Sequence, residues 1–299
     1  MTINYLSQII GSEEDALRLL VAILACYPLA IIYRTFIYKL PERFQHVFFV
    51  VTGVLLYLFF CGVAIIHTLF SIIIAYLIVN LIPGTALSVA AAHIFFLGHL
   101  LIGIWFVESS TYDITWTTPF CILTLKMTAL VMDVYDGHLQ KKSEPQQQSK
   151  TAITDKPNLL EIAAFVFFFS GTLTGPHFSL KRFREFVKGD YLDKERNKVR
   201  QSSIMASLQR FVVGVFFAVL YKWGTVWVPD SYFNSPEFLT PRAYPGGRFR
   251  GGGGTNTGWA QKFLAFTLAF RTQIFLYINF HLFCAAGENF LEFGAQEAR

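Results

Sequence analysis

An all-α, polytopic integral membrane protein is the fold class this sequence predicts, and three observations predict it. Of 299 residues, 54% are hydrophobic and only 15% charged, against roughly 25% charged in a soluble domain. Mean hydropathy is +0.45. Long apolar runs, several near the ~20 residues a spanning helix needs, recur along the chain. One soluble core of this size cannot hide that much apolar surface, so the chain needs lipid as its solvent. Phe is abundant at 32 residues, beside 13 Tyr, in keeping with Phe in hydrocarbon and Tyr at the headgroup level.

Glu13, Glu14 and Asp15 precede the first apolar run. A secretory leader has a basic start, so this run is expected to be a retained helix. It covers Ala16 to Tyr33 with Pro28 inside, which implies a kink. Arg34, Lys39 and Arg43 follow and predict a cytoplasmic loop by the positive-inside rule. The amino terminus then faces the lumen. Val47 to Ile82 is one apolar stretch, too long for a single span. Gly62 is its natural break, giving two closely connected helices, and Pro83-Gly84 ends the second. Thr85 to Val107 is the next span, closed by Glu108.

Thr117-Thr118-Pro119 has the composition of a helix start, hydroxyls to cap and proline in the first turn, and predicts a helix from Phe120 to Tyr135. Residues 137–156 contain a glutamine run and predict a solvated cytoplasmic polar loop. Leu159 to Gly171 is apolar but short, interrupted by Gly171, Gly175 and Pro176, and flanked by basic sequence on both sides. A re-entrant or steeply tilted element satisfies that conflict. Residues 177–205 predict a basic, amphipathic interfacial segment, with Phe178, Leu180, Phe183, Phe186 and Val187 alternating with Lys and Arg. Leu208 to Val226 and Phe263 to Ala286 complete about seven or eight hydrophobic helices, with residues 241–258 as a Gly-rich linker.

Ionisable groups within apolar helices are candidate functional residues. Lys126 and Asp133, seven apart, share one helix face, and Asp136 lies nearby; an ion pair, an interfacial snorkel and a substrate-facing role all fit. His67, His93, His99 and His281 lie in apolar runs, where a histidine ordinarily satisfies one hydrogen bond. His93 and His99, six apart, fall on different faces. His177 follows Gly175-Pro176 at a structural break, tolerated at membrane depth only against protein or a cavity. Lys181, Arg182, Arg184 and Lys188 are candidates for anionic lipid headgroups or coenzyme A phosphates, or for a positive-inside anchor. Cys26, Cys61, Cys121 and Cys284 are widely separated, form no metal-ligand spacing, and are expected to be small buried hydrophobes. No metal site or nucleic-acid motif is expected. The sequence lacks His-x-x-x-x-Asp, Gly-x-Ser-x-Gly, a P-loop and His-Glu-x-x-His. No repeated half or charged pore pattern supports a transporter.

The run Tyr112-Asp113-Ile114-Thr115-Trp116-Thr117-Thr118-Pro119, continuing Cys121 to Lys126 and then Asp133 and Asp136-Gly137, resembles the membrane-bound O-acyltransferase family. Pro157 to Glu161, Gly175 to Ser179 and Val187-Lys188-Gly189 are similar to its lysophosphatidylcholine-acylating members, and the likeness covers most of Glu14 to Leu220. The resemblance implies acyl transfer from acyl-coenzyme A to a lysophospholipid hydroxyl, in phospholipid remodelling at the endoplasmic reticulum, with acyl-coenzyme A as substrate and no bound cofactor. Members acting on phosphatidylinositol-type lipids are the second choice of subclass. The family's catalytic histidine and asparagine motifs belong to its carboxy-terminal half and match nothing here. The chain is therefore expected to be a partial domain, inactive alone, or else a non-catalytic isoform that associates with a full enzyme. Within the matched part, Trp116, Lys126, Asp133, Gly175, Pro176 and His177 are the residues expected near a substrate tunnel, with maintenance of the fold as their alternative role.

Overall fold

The computed structural model describes residues 14–107, 114–142, 151–173, 177–189, 192–193, 198–199, 205, 208–209, 211–217 and 219. The chain divides into two compact units, one holding residues 1–207 and 284–299, the other 208–283. In the second unit, residues 211–217 are helical, with the Phe216 and Phe217 rings edge to face at 5.7 Å. The expected span from Leu208 is thus helical where it is described; the expected span from Phe263 and the linker at 241–258 lie outside the described residues.

In the first unit, helix α1 runs Glu14–Ile32 and carries Pro28 inside it. Its first turn holds Glu14 and Asp15, where carboxylates meet the positive end of the helix dipole. Arg18 donates back to Glu14 at 2.6 and 2.9 Å. Beyond α1 the chain widens into a π-helical turn at Tyr33–Ile37, closed by Tyr38 N–H to Tyr33 C=O at 3.0 Å. The buried Tyr33 hydroxyl donates to Gln45 Oε1 at 2.7 Å, and Gln45 Nε2 donates to the Leu40 carbonyl at 2.8 Å. These two bonds pin the turn into α2, Glu42–Cys61.

Helix α2 buries Gln45, Phe49, Thr52, Gly53, Leu56, Tyr57 and Phe60, a stripe at helical spacing. Its other side is also apolar, with Val47, Val51, Leu55 and Leu58 exposed. A helix apolar all round belongs in lipid or a large core. Gly62 ends it with φ +56° and ψ −129°, a conformation glycine takes at little cost. A short 3-10 turn leads into α3, Ile65–Leu81. The long apolar stretch is thus broken at Gly62, as its length requires.

Helix α4, Ala86–Val107, starts where the Thr85 hydroxyl accepts the Ser88 N–H at 3.1 Å. It buries only Ser88, Ala92 and Phe96 and exposes Ile94, Leu101, Trp105 and Phe106. Helix α5, Ile114–Lys142, packs along α4 and against α3. It begins earlier than the Thr-Thr-Pro signal predicts. Trp116 stacks on Phe120 one turn on, centroids 3.9 Å apart at 18°, and this contact holds residues 116–120 inside the helix with Pro119 among them. Among the described residues, four stretches are long and apolar enough to cross a membrane: Glu14–Ile37, Glu42–Leu81, Ala86–Val107 and Thr115–Leu139.

The expected polar loop at 137–156 is corrected at its start. Residues 137–142 belong to α5. Ile153 is buried and its N–H donates to the Asp133 carbonyl at 2.9 Å. Pro157 is buried too. An apolar side chain and a backbone donor in the tract outweigh its polar composition.

Helix α6, Leu159–Val166, starts at Asn158, whose side chain accepts the Glu161 N–H at 2.8 Å. Eight residues span about 12 Å, too short to cross hydrocarbon. Buried non-helical chain continues through residue 173, which fits the re-entrant or tilted element. Helix α7, Leu180–Lys188, is capped by Ser179 at one end and by left-handed Gly189 at the other. It buries Leu180, Phe183, Phe186 and Val187. The segment expected at 177–205 is helical only in this part; β1 (Leu192–Asp193) and β2 (Lys198–Val199) then pair antiparallel.

An aromatic cluster joins these parts. Phe49 of α2 meets Phe168 at 5.0 Å and Phe183 at 5.7 Å, Phe168 meets Phe183 at 5.7 Å, and Phe186 stacks on Tyr33 at 5.3 Å. Edge-to-face ring pairs add about 0.5–1.5 kcal/mol each beyond area burial.

Candidate functional site

Helix α5 carries three groups that the sequence singles out, and the structure gives each its own surroundings. Lys126 sits near the middle of α5 and is 1% exposed. Its ammonium lies 3.4 Å from the Phe165 carbonyl, at the edge of hydrogen-bond range, and 5.3 and 5.1 Å from the Phe165 and Phe178 ring centroids. Aromatic faces within about 6 Å stabilise a desolvated cation. Gly171 borders the same ammonium: a Cβ there would stand 3.5 Å from Nζ and press on the Phe178 ring at 2.9 Å.

The turn that brings Gly171 there is built on another glycine. A Cβ at Gly53 of α2 would overlap the Phe167 carbonyl, so only glycine lets the α2 backbone touch the chain after α6. Cys26 holds the same turn from α1, its thiol donating to the Phe169 carbonyl at 3.2 Å. The Ser170 and Thr172 hydroxyls in this turn are buried and have no hydrogen-bond partner among the described residues.

His177 lies beside this region with its side chain exposed. Partial desolvation first, and the Lys126 ammonium second, hold its imidazole below the usual histidine range. Lys126 and His177 are therefore brought within electrostatic reach of each other. Gly175 and Pro176, expected beside them, lie outside the described residues.

Asp133 shares the α5 face with Lys126, as its spacing predicts, and is 8% exposed. It looks to other partners: Thr151 hydrogen-bonds its carboxylate, and the charges of Asp136 and Lys181 act on it. Trp116 is buried some 10 residues before Lys126 along α5, about 15 Å away by helix rise. It belongs to a separate cluster. His67 Nδ1 and His99 Nε2 lie 3.1 Å apart, and His67 meets Trp116 edge to face at 4.8 Å. The histidine pair joins α3 to α4 across 32 positions of sequence, which no local pattern encodes. His93, by contrast, simply bonds the Val89 carbonyl at 2.8 Å.

Of the basic residues on α7, Arg184 is turned inward. It holds Glu161 of α6 in a two-pronged pair at 2.5 and 3.1 Å. Lys181 and Arg182 are half-buried, and Lys188 is exposed. The cysteines divide: Cys26 is buried as expected, whereas Cys61 is half-buried and Cys121 exposed on the outside of α5, where an apolar thiol suits lipid. No group of three or more His, Cys, Asp or Glu able to hold a metal ion occurs among the described residues.

Helices apolar on all sides, joined through a buried cation and an aromatic turn, define a polytopic helical membrane protein. Residues 101–245 match the family model for MBOAT, the membrane-bound O-acyltransferase family. The chain is similar to "Lysophospholipid acyltransferase 5" of Caenorhabditis elegans, 52% identical over 236 residues, covering 79% of this chain and 50% of the relative. The same-named protein of Drosophila melanogaster is 37% identical over 77% of this chain and 45% of its own length. That of Homo sapiens is 32% identical over 80% and 48%. The chain thus spans about half the length of the curated relatives it matches.

Proposed function

We propose that this chain forms part of a lysophospholipid acyltransferase that moves a fatty-acyl group from acyl-coenzyme A to the free hydroxyl of a lysophospholipid, lysophosphatidylcholine foremost. The observation that carries this reading is the 52% identity over 236 residues to a protein of that name. The site supports it: a buried cation and two buried hydroxyls lie among Phe side chains within the membrane-spanning unit. Such surroundings suit a substrate that is mostly hydrocarbon with a few polar oxygens. The exposed face of α7, with Lys188 and the half-buried Lys181 and Arg182, supplies positive charge for the phosphates of coenzyme A or of anionic lipids. Endoplasmic reticulum membrane is the proposed location. Acyl-coenzyme A is a substrate in this scheme, and the chemistry requires a general base for the hydroxyl and polarisation of the thioester.

The test is acyl transfer in microsomes from cells without background activity. They express this chain alone, or together with the carboxy-terminal half of the Caenorhabditis elegans relative. A labelled acyl group is followed from coenzyme A to lysophosphatidylcholine and, in parallel, to lysophosphatidylinositol. Transfer in either expression arm, fastest to lysophosphatidylcholine, supports the proposal; no transfer to any lysophospholipid in both arms rejects it.

A further inference from the structure

The turn after α6 holds two features that the packing of the bundle leaves unexplained. The Ser170 and Thr172 hydroxyls are 6% and 4% exposed and have no hydrogen-bond partner among the described residues. Burying a hydroxyl without a partner is costly, and such groups are rare in folded proteins. They flank Gly171, the residue that borders the Lys126 ammonium. The two hydroxyls therefore sit one residue to either side of the glycine that borders the cation. The ammonium lies against the Phe165 and Phe178 rings, and Phe178 meets Phe168 edge to face. We propose that Lys126 and the Ser170–Thr172 turn bind the carbonyl oxygen of a fatty-acyl group, with its chain against those rings.

Depth and charge favour a carbonyl over a phosphate. Lys126 is the twelfth residue of the candidate span Thr115–Leu139, so it stands about 16 Å along the helix from one end and about 20 Å from the other. Headgroup phosphates lie near the ends of a span, whereas a thioester carbonyl, carried on the long pantetheine arm, can reach the middle. A phosphate also calls for several cations, and among the arginines of α7 Arg184 is committed to Glu161. A neutral carbonyl asks only for donors in dry surroundings, where a charge-assisted hydrogen bond is strong. The assignment rests on the acyltransferase reading and adds the residues that would hold the acyl group. Two substrates carry such a carbonyl: the thioester of acyl-coenzyme A and the ester of a lysophospholipid.

The experiment compares ligands that differ only in that carbonyl, binding to the full chain purified in detergent. One pair is palmitoyl-coenzyme A and its thioether S-hexadecyl-coenzyme A. The other is palmitoyl lysophosphatidylcholine and its hexadecyl ether analogue. In one pair, the carbonyl ligand is expected to bind about ten- to a hundredfold more tightly, the range of one charge-assisted hydrogen bond. The pair that shows the difference identifies the source. Lys126→Met should bring that ratio close to one without weakening the carbonyl-free ligand. Ser170→Ala with Thr172→Val, which keeps Lys126, should lower the ratio in part while the melting temperature holds or rises, because two unsatisfied hydroxyls are removed. Equal binding within both pairs by the wild-type chain overturns the carbonyl site and leaves the acyltransferase reading standing. A lower melting temperature with an unchanged ratio, in either variant, also overturns it. Binding of neither coenzyme A nor lysophosphatidylcholine ligands overturns both.

Discussion

Replacing Glu161 by alanine should destabilise the first unit far more than an ordinary surface substitution, because it strands Arg184. The two side chains are 10% and 20% exposed and meet through two bonds at 2.5 and 3.1 Å. Two unit charges about 4 Å apart attract by about 4 kcal/mol at an effective dielectric of about 20. Breaking a fully buried pair from one side costs about 3–5 kcal/mol. Arg184 retains a fifth of its exposure and can recover some hydration, so the loss for Glu161→Ala should be about 2–3 kcal/mol. Arg184→Ala should cost about 1–3 kcal/mol. It leaves a carboxylate behind, but Glu161 lies in the first turn of α6, where the helix dipole returns about 0.3–1 kcal/mol. Removing both partners leaves no stranded charge, so the double variant should be about 2 kcal/mol more stable than the sum of the single losses predicts. Equilibrium unfolding in detergent micelles, with the four proteins side by side, measures the cycle. Losses that add to within about 0.5 kcal/mol would refute the argument, since they would mean that α6 and α7 are not joined through this pair.

Gly53→Ala should lower stability by about 1–3 kcal/mol, since its new carbon overlaps the Phe167 carbonyl; a thermal melt indistinguishable from wild type would contradict the backbone contact. Phe183→Ala should cost about 3–5 kcal/mol, because its ring meets Phe49, Phe165 and Phe168. Proteolysis at Arg182 and Arg184 should accelerate along with it, and an unchanged digestion rate would count against docking of α7. His177 titrates below the ordinary histidine value through desolvation and the Lys126 charge. A depressed histidine favours the folded state while neutral, so its contribution is full above the unfolded value, near pH 6.5, and is lost as pH falls towards the lower folded value. His177→Gln should flatten stability over that acidic window; a slope unchanged in the variant would assign the pH dependence elsewhere.

Much of the architecture is legible in the sequence because lipid imposes a length. A spanning helix needs a fixed run of apolar residues, so the breaks at Gly62 and Pro83-Gly84 follow from counting. The start of α5 does not follow. Thr117-Thr118-Pro119 carries a local capping signal, and the stacking of Trp116 on Phe120 overrides it. The π-turn after Pro28 leaves no signature that distinguishes it from an ordinary kink. In the candidate site, helical spacing puts Lys126 and Asp133 on one face, but it cannot say that Lys126 meets the Phe165 carbonyl while Asp133 meets Thr151. Arg184 has the same sequence context as its basic neighbours. Only the tertiary fold separates it from them, by placing Glu161 within reach. The His67–His99 contact is likewise a product of packing between α3 and α4. The unpartnered hydroxyls of Ser170 and Thr172 look like any two polar residues beside a glycine.

The meeting of Gly53 with Phe167 has a mechanical consequence. Side chains between two helices can change rotamer and absorb a displacement of an ångström or so. Two main chains in direct contact have no such cushion, and close-packed interiors pass strain on. A slide or rotation of α2 at Gly53 is therefore delivered almost undiminished to Phe167, and from there, four positions on, to Gly171 beside the Lys126 ammonium. The glycine turns α2 into a stop against which the height of that turn is set. Any perturbation that shifts α2 along its axis, including one applied at the far end near Tyr33 and Gln45, should be felt at the buried cation before it is felt at the outward faces of the bundle.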